Sequence, residues 1–324
     1  MGFFPEGRQL DFIALGRAGL DLYAAEQQTD FNDVLSFRKY VGGSPANTTA
    51  MLARLGRSTG LITKVCDDQI GRYVVSYLQS IGTDTSQVRF DTSGGRTSLV
   101  ITEMRPDKHG AVFYRNQASD QLITPEEIDE AYIVRAAALI VSGVSFSESP
   151  GREATLAAIE YARRSGTKVV LDLDYRPYSW KTMHETALYL GLAAEKSDIL
   201  CGNGSEYAAL NWLLYPEAEN KPQESVRPWL ERGVSLALYK QGGERGAAAY
   251  EKDGKQHAGP LYRVPAVKPF GAGDAYLGTV LHCLMRCWDV AGAMDKGAAA
   301  ASIVISRESC SAASPTEDEI DTFI

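Results

Sequence analysis

The 324-residue sequence holds no apolar run long enough to cross a bilayer. Its longest such stretches, Ala136 to Val144 among them, fall far short of the roughly 20 residues that a spanning helix needs. The first residues carry Glu6, Arg8 and Gln9 where a secretory leader would have an apolar centre, so a cytoplasmic protein with no membrane partner is expected. Positive charge is scarce. Lys and Arg total 33 against 41 Asp and Glu, a net charge of −8, which argues against broad nucleic-acid or anionic-membrane binding but leaves room for a local basic pocket. Four histidines and five scattered cysteines (Cys66, Cys201, Cys283, Cys287, Cys310) form no Cys-x-x-Cys pair and no histidine cluster. Cys283 and Cys287 would share a face on a helix, yet that spacing is a poor zinc signal, and buried free thiols in a reducing compartment are expected instead. A dinucleotide oxidoreductase is disfavoured because no Gly-x-Gly-x-x-Gly follows the first strand, where Gly16-Arg17-Ala18-Gly19 is spaced wrongly.

What the chain does have is a globular make-up, 44% hydrophobic and 23% charged, with length for a large buried core. Short apolar runs alternate with helical periodicity. Asp11–Gly16, Gly60–Val65, Ala138–Ser142, Lys168–Leu173, Asp198–Cys201 and Ser235–Tyr239 read as strands. Asn47–Leu55 and Arg152–Ser165 read as helices closed by Gly56 and Gly166, and Ile70, Val74, Leu78 and Ile81 mark another before Gly82. Such uniformly apolar strands between helices predict a parallel sheet covered on both faces. Two segments break the rhythm. Leu20–Tyr40 and Gly94–Asn116 are polar, β-leaning and interrupted by turn residues such as Pro106 to Gly110. They are expected to form hairpins of a small separate sheet, a lid; ordinary long loops are the other reading. The run Ala298–Ala301 reads as a helix face for close packing.

Three glycine-rich turns carry candidate chemistry. Phe270-Gly271-Ala272-Gly273-Asp274-Ala275 leads into a helix periodic in Leu277, Leu281, Leu284 and Trp288. Such a turn presents unpaired N–H groups and the positive end of a helix dipole, which together attract an anion. A carboxylate would repel phosphate there unless Asp274 takes the proton of an attacking hydroxyl; a plain helix N-cap is the alternative. Val41 to Asn47, through Gly42 and Gly43, makes room for a ligand whose hydroxyls Asn47 would bind, or is an ordinary turn. Lys240 to Gly246, through Gly242 and Gly243, suits nucleotide phosphates but lacks Walker spacing, and a surface turn would also explain it.

In this order the Gly-Gly…Asn element, the Asn203-x-x-Glu206 pair, the Lys240 loop and the Gly271–Asp274 turn resemble the ribokinase-like, or PfkB-type, carbohydrate kinases, from about Asp11 to Ile320. The resemblance implies a three-layer α/β/α sandwich, a single kinase domain over 1–324 with a discontinuous β-lid at about 17–40 and 94–116. It implies ATP and Mg²⁺ as cofactors. Asp274 would be the base, Gly271, Ala272 and Gly273 the anion hole, and Lys240, Gly242 and Gly246 the lining of the nucleotide site. Asn203 and Glu206 would organise Mg²⁺ through water. Asp21, Gly42, Gly43 and Asn47 would hold a sugar, and a homodimer through the lids would fit the family.

Asp172-Leu173-Asp174-Tyr175-Arg176 ends a strand, where open α/β sheets place their ligands. Arg176 and Arg115 match arginines that contact the substrate carboxylate in family members acting on 2-keto-3-deoxygluconate, and a guanidinium fork suits a carboxylate. Fructokinases also carry an arginine after this strand. Arg17 is a further candidate. The finer pattern (Gly16-Arg17…Asp21-Leu22-Tyr23, Ser36-Phe37…Tyr40, Arg115-Asn116…Asp120, Asp172 to Trp180) resembles the branch that phosphorylates the terminal C6 hydroxyl of an open-chain keto-deoxy acid in myo-inositol breakdown. A 2-keto-3-deoxygluconate kinase, a fructokinase and, in another class, a catalytically silent sugar sensor are the alternatives. Tyr178 and Trp180 read as packing as readily as ligand contacts. One departure stands out: many relatives have aspartate and threonine before the turn, whereas this chain has Lys268-Pro269-Phe270. That puts a monovalent-cation site in doubt and leaves Lys268 to supply charge in its place.

Overall fold

Strands with no polar face must be covered on both sides, and here they are. The computed structural model describes residues 2–105, 110–218, 221–243, 245–268 and 270–324. The expected turn over Pro106–His109, together with Glu244 and Pro269, lies outside the described residues. The elements run β1 Leu10–Leu15, β2 Gly19–Gln27, β3 Phe37–Gly42, α1 Ser44–Arg54, β4 Thr59–Cys66, α2 Gln69–Ser80, β5 Val88–Asp91, β6 Leu99–Met104 and β7 Ala111–Tyr114. They continue α3 Glu130–Ile133, β8 Ala136–Ser142, α4 Gly151–Ser165, β9 Lys168–Asp172, α5 Met183–Ala194, β10 Ile199–Asn203, α6 Gly204–Asn211 and α7 Pro222–Glu231. Last come β11 Leu236–Gly242, β12 Gly246–Glu251, β13 Gln256–Ala258, α8 Ala272–Met285, α9 Val290–Ile305 and α10 Glu317–Phe323.

A nine-stranded sheet takes the order β13-β12-β11-β10-β9-β8-β1-β4-β5. It is parallel from β5 to β11, with Ile13 opposite Leu139 and Gly60 in the two registers of β1. Alternate strand residues feed two cores. Ile13, Leu15, Leu139, Val141 and Leu171 pack with Ala158 of α4 and Trp229 of α7; Phe12, Ala14, Ile140 and Val170 pack with Leu277 of α8 and Met294 of α9. Gly56, Gly82 and Gly166 take the left-handed conformation at φ +77°, +79° and +73°, stopping the helices as their positions require. The small residues of α9 let it lie against α8: a Cβ on Gly297 would come within 2.9 Å of Val280, and Ala299 and Ala300 are fully buried.

The two rhythm-breaking segments form one four-stranded sheet, β3-β2-β6-β7, in which two hairpins join through parallel β2 and β6. Three expectations need correction. The sheet is not wholly parallel, because β11 turns back into antiparallel β12 and β13. Helix α8 stops at Met285: Cys287 adopts φ +60°, so Trp288 falls outside the helix. Cys283 and Cys287 therefore share no helical face, and Cys287 is exposed while the other four free cysteines are buried. No helix among the described residues is long and apolar enough to cross a membrane.

Candidate active site

From β1 the chain moves to β4 and β5 on one side, and from β8 to β9, β10 and β11 on the other. A crevice opens at the strand carboxyl ends where such an order reverses. A cavity of about 460 Å³ occupies that place, roofed by side chains of the small sheet such as Val100, Thr102 and Phe113.

Asp274 sits in the first turn of α8. Gly271, at φ +82°, is the N-cap, and no side chain caps the helix, so the capping reading of Asp274 fails. The carboxylate instead accepts hydrogen bonds from Ser44 Oγ at 2.7 Å and Asn47 Nδ2 at 2.8 Å. Burial, reinforced by Asp172, pushes its pKa up to about 7. Gly271 also makes a close approach possible: a Cβ there would lie 2.8 Å from Cys310 Sγ. Behind the turn, Lys240 Nζ at the end of β11 lies 3.3 Å from Asp172 and 3.7 Å from Glu206. Burial alone would lower its pKa, yet Asp172, Cys201, Glu206 and Asp274 hold the ammonium protonated.

Asn203 and Glu206 form a reciprocal cap on α6. Asn203 Oδ1 accepts from the Glu206 amide at 3.0 Å, and Glu206 accepts from the Asn203 amide at 2.7 Å. Burial raises the Glu206 pKa against the pull of Lys240. Both residues border the cavity, as does Gly242. Gly246 does not; it opens β12 at φ +68°, opposite Gly242 in the hairpin. Among the described residues no group of three or more His, Cys, Asp or Glu is arranged to hold a metal ion.

The other end of the cavity carries three arginines, each paired with a carboxylate. Arg17 follows β1, pairs with Asp21 at 3.0 Å and donates Nε to Ser98 at 2.8 Å. Gly42 does not border the cavity but permits this pair, since a Cβ there would fall 1.9 Å from Asp21 Oδ2. Gly43, at φ +111°, lets α1 begin beside the Arg17 carbonyl. Arg115 pairs with Asp120 at 2.5 Å, and its Nε is buried without a partner. Arg176 pairs with Asp174 at 2.8 Å, which holds the guanidinium pKa up. Asp174 has φ +32°, a strained backbone of the kind that collects at functional sites, and accepts from Ser142 at 2.8 Å. Asn47 Oδ1, like Arg115 Nε, is buried without a partner among the described residues.

The fold thus brings together Asp274, Gly271, Ala272, Gly273, Lys240, Gly242, Asn203, Glu206, Arg17, Asp21, Gly43, Asn47, Arg115 and Arg176 around one cavity. Sequence reasoning missed Ser44, Asp172 and Asp174, although all three lie within or beside motifs it used. It also passed over Tyr178, which borders the cavity stacked on Phe113 of the small sheet at 4.7 Å. Trp180 is buried in the core. Cys310 borders the cavity from far along the chain, with no local signal to announce it.

A glycine-rich turn at a helix start, a buried carboxylate and three arginines meet in one crevice of this fold, and the class of protein they point to is a small-molecule kinase. The sequence profile described as pfkB family carbohydrate kinase matches residues 10–317, and the chain belongs to that family of sugar kinases. A 5-dehydro-2-deoxygluconokinase of Geobacillus kaustophilus (strain HTA426) is 44% identical over 327 aligned residues, covering 100% of this chain and 97% of that one. An E. coli protein provisionally assigned as ribokinase II, solved with ATP and Mg²⁺, superposes with a TM-score of 0.86 at 22% identity, covering 97% of this chain and 98% of that one. A fructokinase double mutant of Vibrio cholerae O395, solved with fructose, ADP and potassium, gives a TM-score of 0.84 at 22% identity over 98% and 99% of the two chains. The two solved structures bear on the fold.

Proposed function

We propose that the protein transfers the γ-phosphoryl group of ATP to the terminal C6 hydroxyl of 5-dehydro-2-deoxy-D-gluconate, in the cytoplasm, as a step of myo-inositol breakdown. The observation that carries this reading is the convergence of Arg17, Arg115 and Arg176 on the cavity that holds Asp274. Guanidinium forks suit the carboxylate of a sugar acid, whereas a neutral sugar offers them no charge to match. The relative's name points to the same substrate.

In the reaction, Asp274 takes the proton as the sugar oxygen bonds to the γ-phosphorus and the bond to the β-phosphate oxygen breaks. The Gly271–Gly273 N–H groups receive the phosphoryl oxygens, and Lys240 adds charge beneath them. The unpartnered Asn47 Oδ1 accepts from a sugar hydroxyl. The hard oxygens of Asn203 and Glu206 suit Mg²⁺. Because Asn203 and Glu206 already cap α6, they would hold the ion through water, and it would neutralise phosphate charge. The small sheet would act as a lid over the sugar, and its exposed Phe37, Val112 and Tyr114 would pair two copies.

The test is ADP release with MgATP across 5-dehydro-2-deoxygluconate, 2-keto-3-deoxygluconate, fructose and ribose. Preference for the first supports the assignment. Preference for the second or third reassigns the sugar, and binding without turnover on any makes the protein a sensor.

A further inference from the structure

Lys268 is fully buried, and among the described residues no carboxylate lies within ion-pair distance of it, Asp274 acting only from farther away. Its ammonium donates to the Phe270 carbonyl at 2.6 Å and the Val304 carbonyl at 3.1 Å. Two of the three donors of the ammonium thus go to neutral backbone carbonyls. Burying a cation with no directly paired carboxylate is costly, so it persists where the surroundings use it. Two surroundings do. Val304 lies in the last turn of α9, whose carbonyls carry the negative end of the helix dipole. Phe270 immediately precedes Gly271, the cap of α8, so the ammonium fixes the carbonyl from which the phosphate-binding turn starts.

Carbonyl oxygens around a buried monovalent charge are the ligands that replace the hydration shell of a potassium or ammonium ion. The geometry points to Lys268 as a tethered monovalent cation: it positions the 270–274 turn and keeps positive potential behind it, so phosphoryl transfer here needs no free potassium. Lys268 acts through the turn and does not border the cavity, which makes it a positioning residue. The inference rests on the kinase reading above, but one arm of its test does not.

Turnover and melting temperature are measured for wild type, Lys268→Ala and Lys268→Met in chloride salts of potassium, ammonium and choline. Wild type should turn over and melt alike in all three. Lys268→Ala should lose about ten- to hundredfold in turnover in choline, as for loss of preorganised anion stabilisation, and recover most of it in potassium or ammonium. Its melting temperature should rise selectively with the same two ions. Lys268→Met, which fills the space, should lose turnover without rescue. Potassium activation of wild type overturns the inference, as does an Ala variant that keeps full turnover or responds equally to every salt. The melting arm needs no sugar, so it decides the role of Lys268 even where the wild type turns over none of the four sugars, a result that would remove the kinase reading instead.

Discussion

The Ser44 hydroxyl has one proton and two carboxylates within reach, Asp274 at 2.7 Å and Asp172 at 3.2 Å. Donated to Asp274, it favours the ionised form and partly offsets the burial that pushes that pKa to about 7. A base must be ionised to accept a proton, so kcat/KM should rise with pH through about 7 and level off above it. Replacing Ser44 by Ala should move that midpoint upward by about half to one unit, read from pH–rate profiles; an unmoved midpoint would detach Ser44 from the base. Asp274→Asn should cut kcat by about 10²–10⁴ without loss of fold. The same substitution should stabilise the protein on the alkaline side. A folded-state pKa raised above 3.8 means that stability falls as pH climbs towards about 7, where the buried carboxyl must ionise beside Asp172 and Asp174. The Asn variant avoids that cost, so its melting temperature should exceed the wild type's above pH 7 and converge with it towards pH 4.

Elements were legible where one local rule governed them. β1, β4, β8 and β9 are apolar runs buried on both faces, and α4 ends at a left-handed glycine as its sequence demands. The antiparallel edge was not legible, because Gly246–Glu251 is rich in alanine and lacks the β-branched residues that mark a strand. α8 was read too long because apolar periodicity runs on through Trp288, while Cys287 turns the backbone left-handed. In the site, the motif residues were legible and their orientation was not: Ser44, Asp172 and Cys310 meet Asp274 and its turn only through tertiary contact. Gly42, which has no part in the cavity wall, shows how an element junction serves the site. Gly42→Ala should overpack β3 against Asp21, lowering stability by about 1–3 kcal/mol and raising KM for the sugar acid through displaced Arg17. Thermal melting and saturation kinetics read the two effects; an unchanged KM would free Gly42 from the substrate pocket.

At the scale of the whole molecule, the small sheet stands over the cavity and contributes Phe113 and Tyr23 to its wall, while the end that would take the nucleotide is built from the large sheet and α8. Water excluded only when sugar draws the two together would keep ATP from being hydrolysed idly. ATP hydrolysis without sugar should therefore run at least about a hundredfold below the sugar-dependent rate; a comparable rate would remove the lid role. The wall is also assembled across almost the full sequence. Tyr23 meets Cys310 at 3.0 Å, and the Val41 carbonyl accepts from Ser311. Catalytic competence therefore arrives late in the life of the polypeptide. Until residues near 310 have joined the fold, the 270–274 turn lacks its backing from Cys310. A stalled or C-terminally clipped chain would keep much of its core and do no chemistry, so truncation products would be inert rather than leaky.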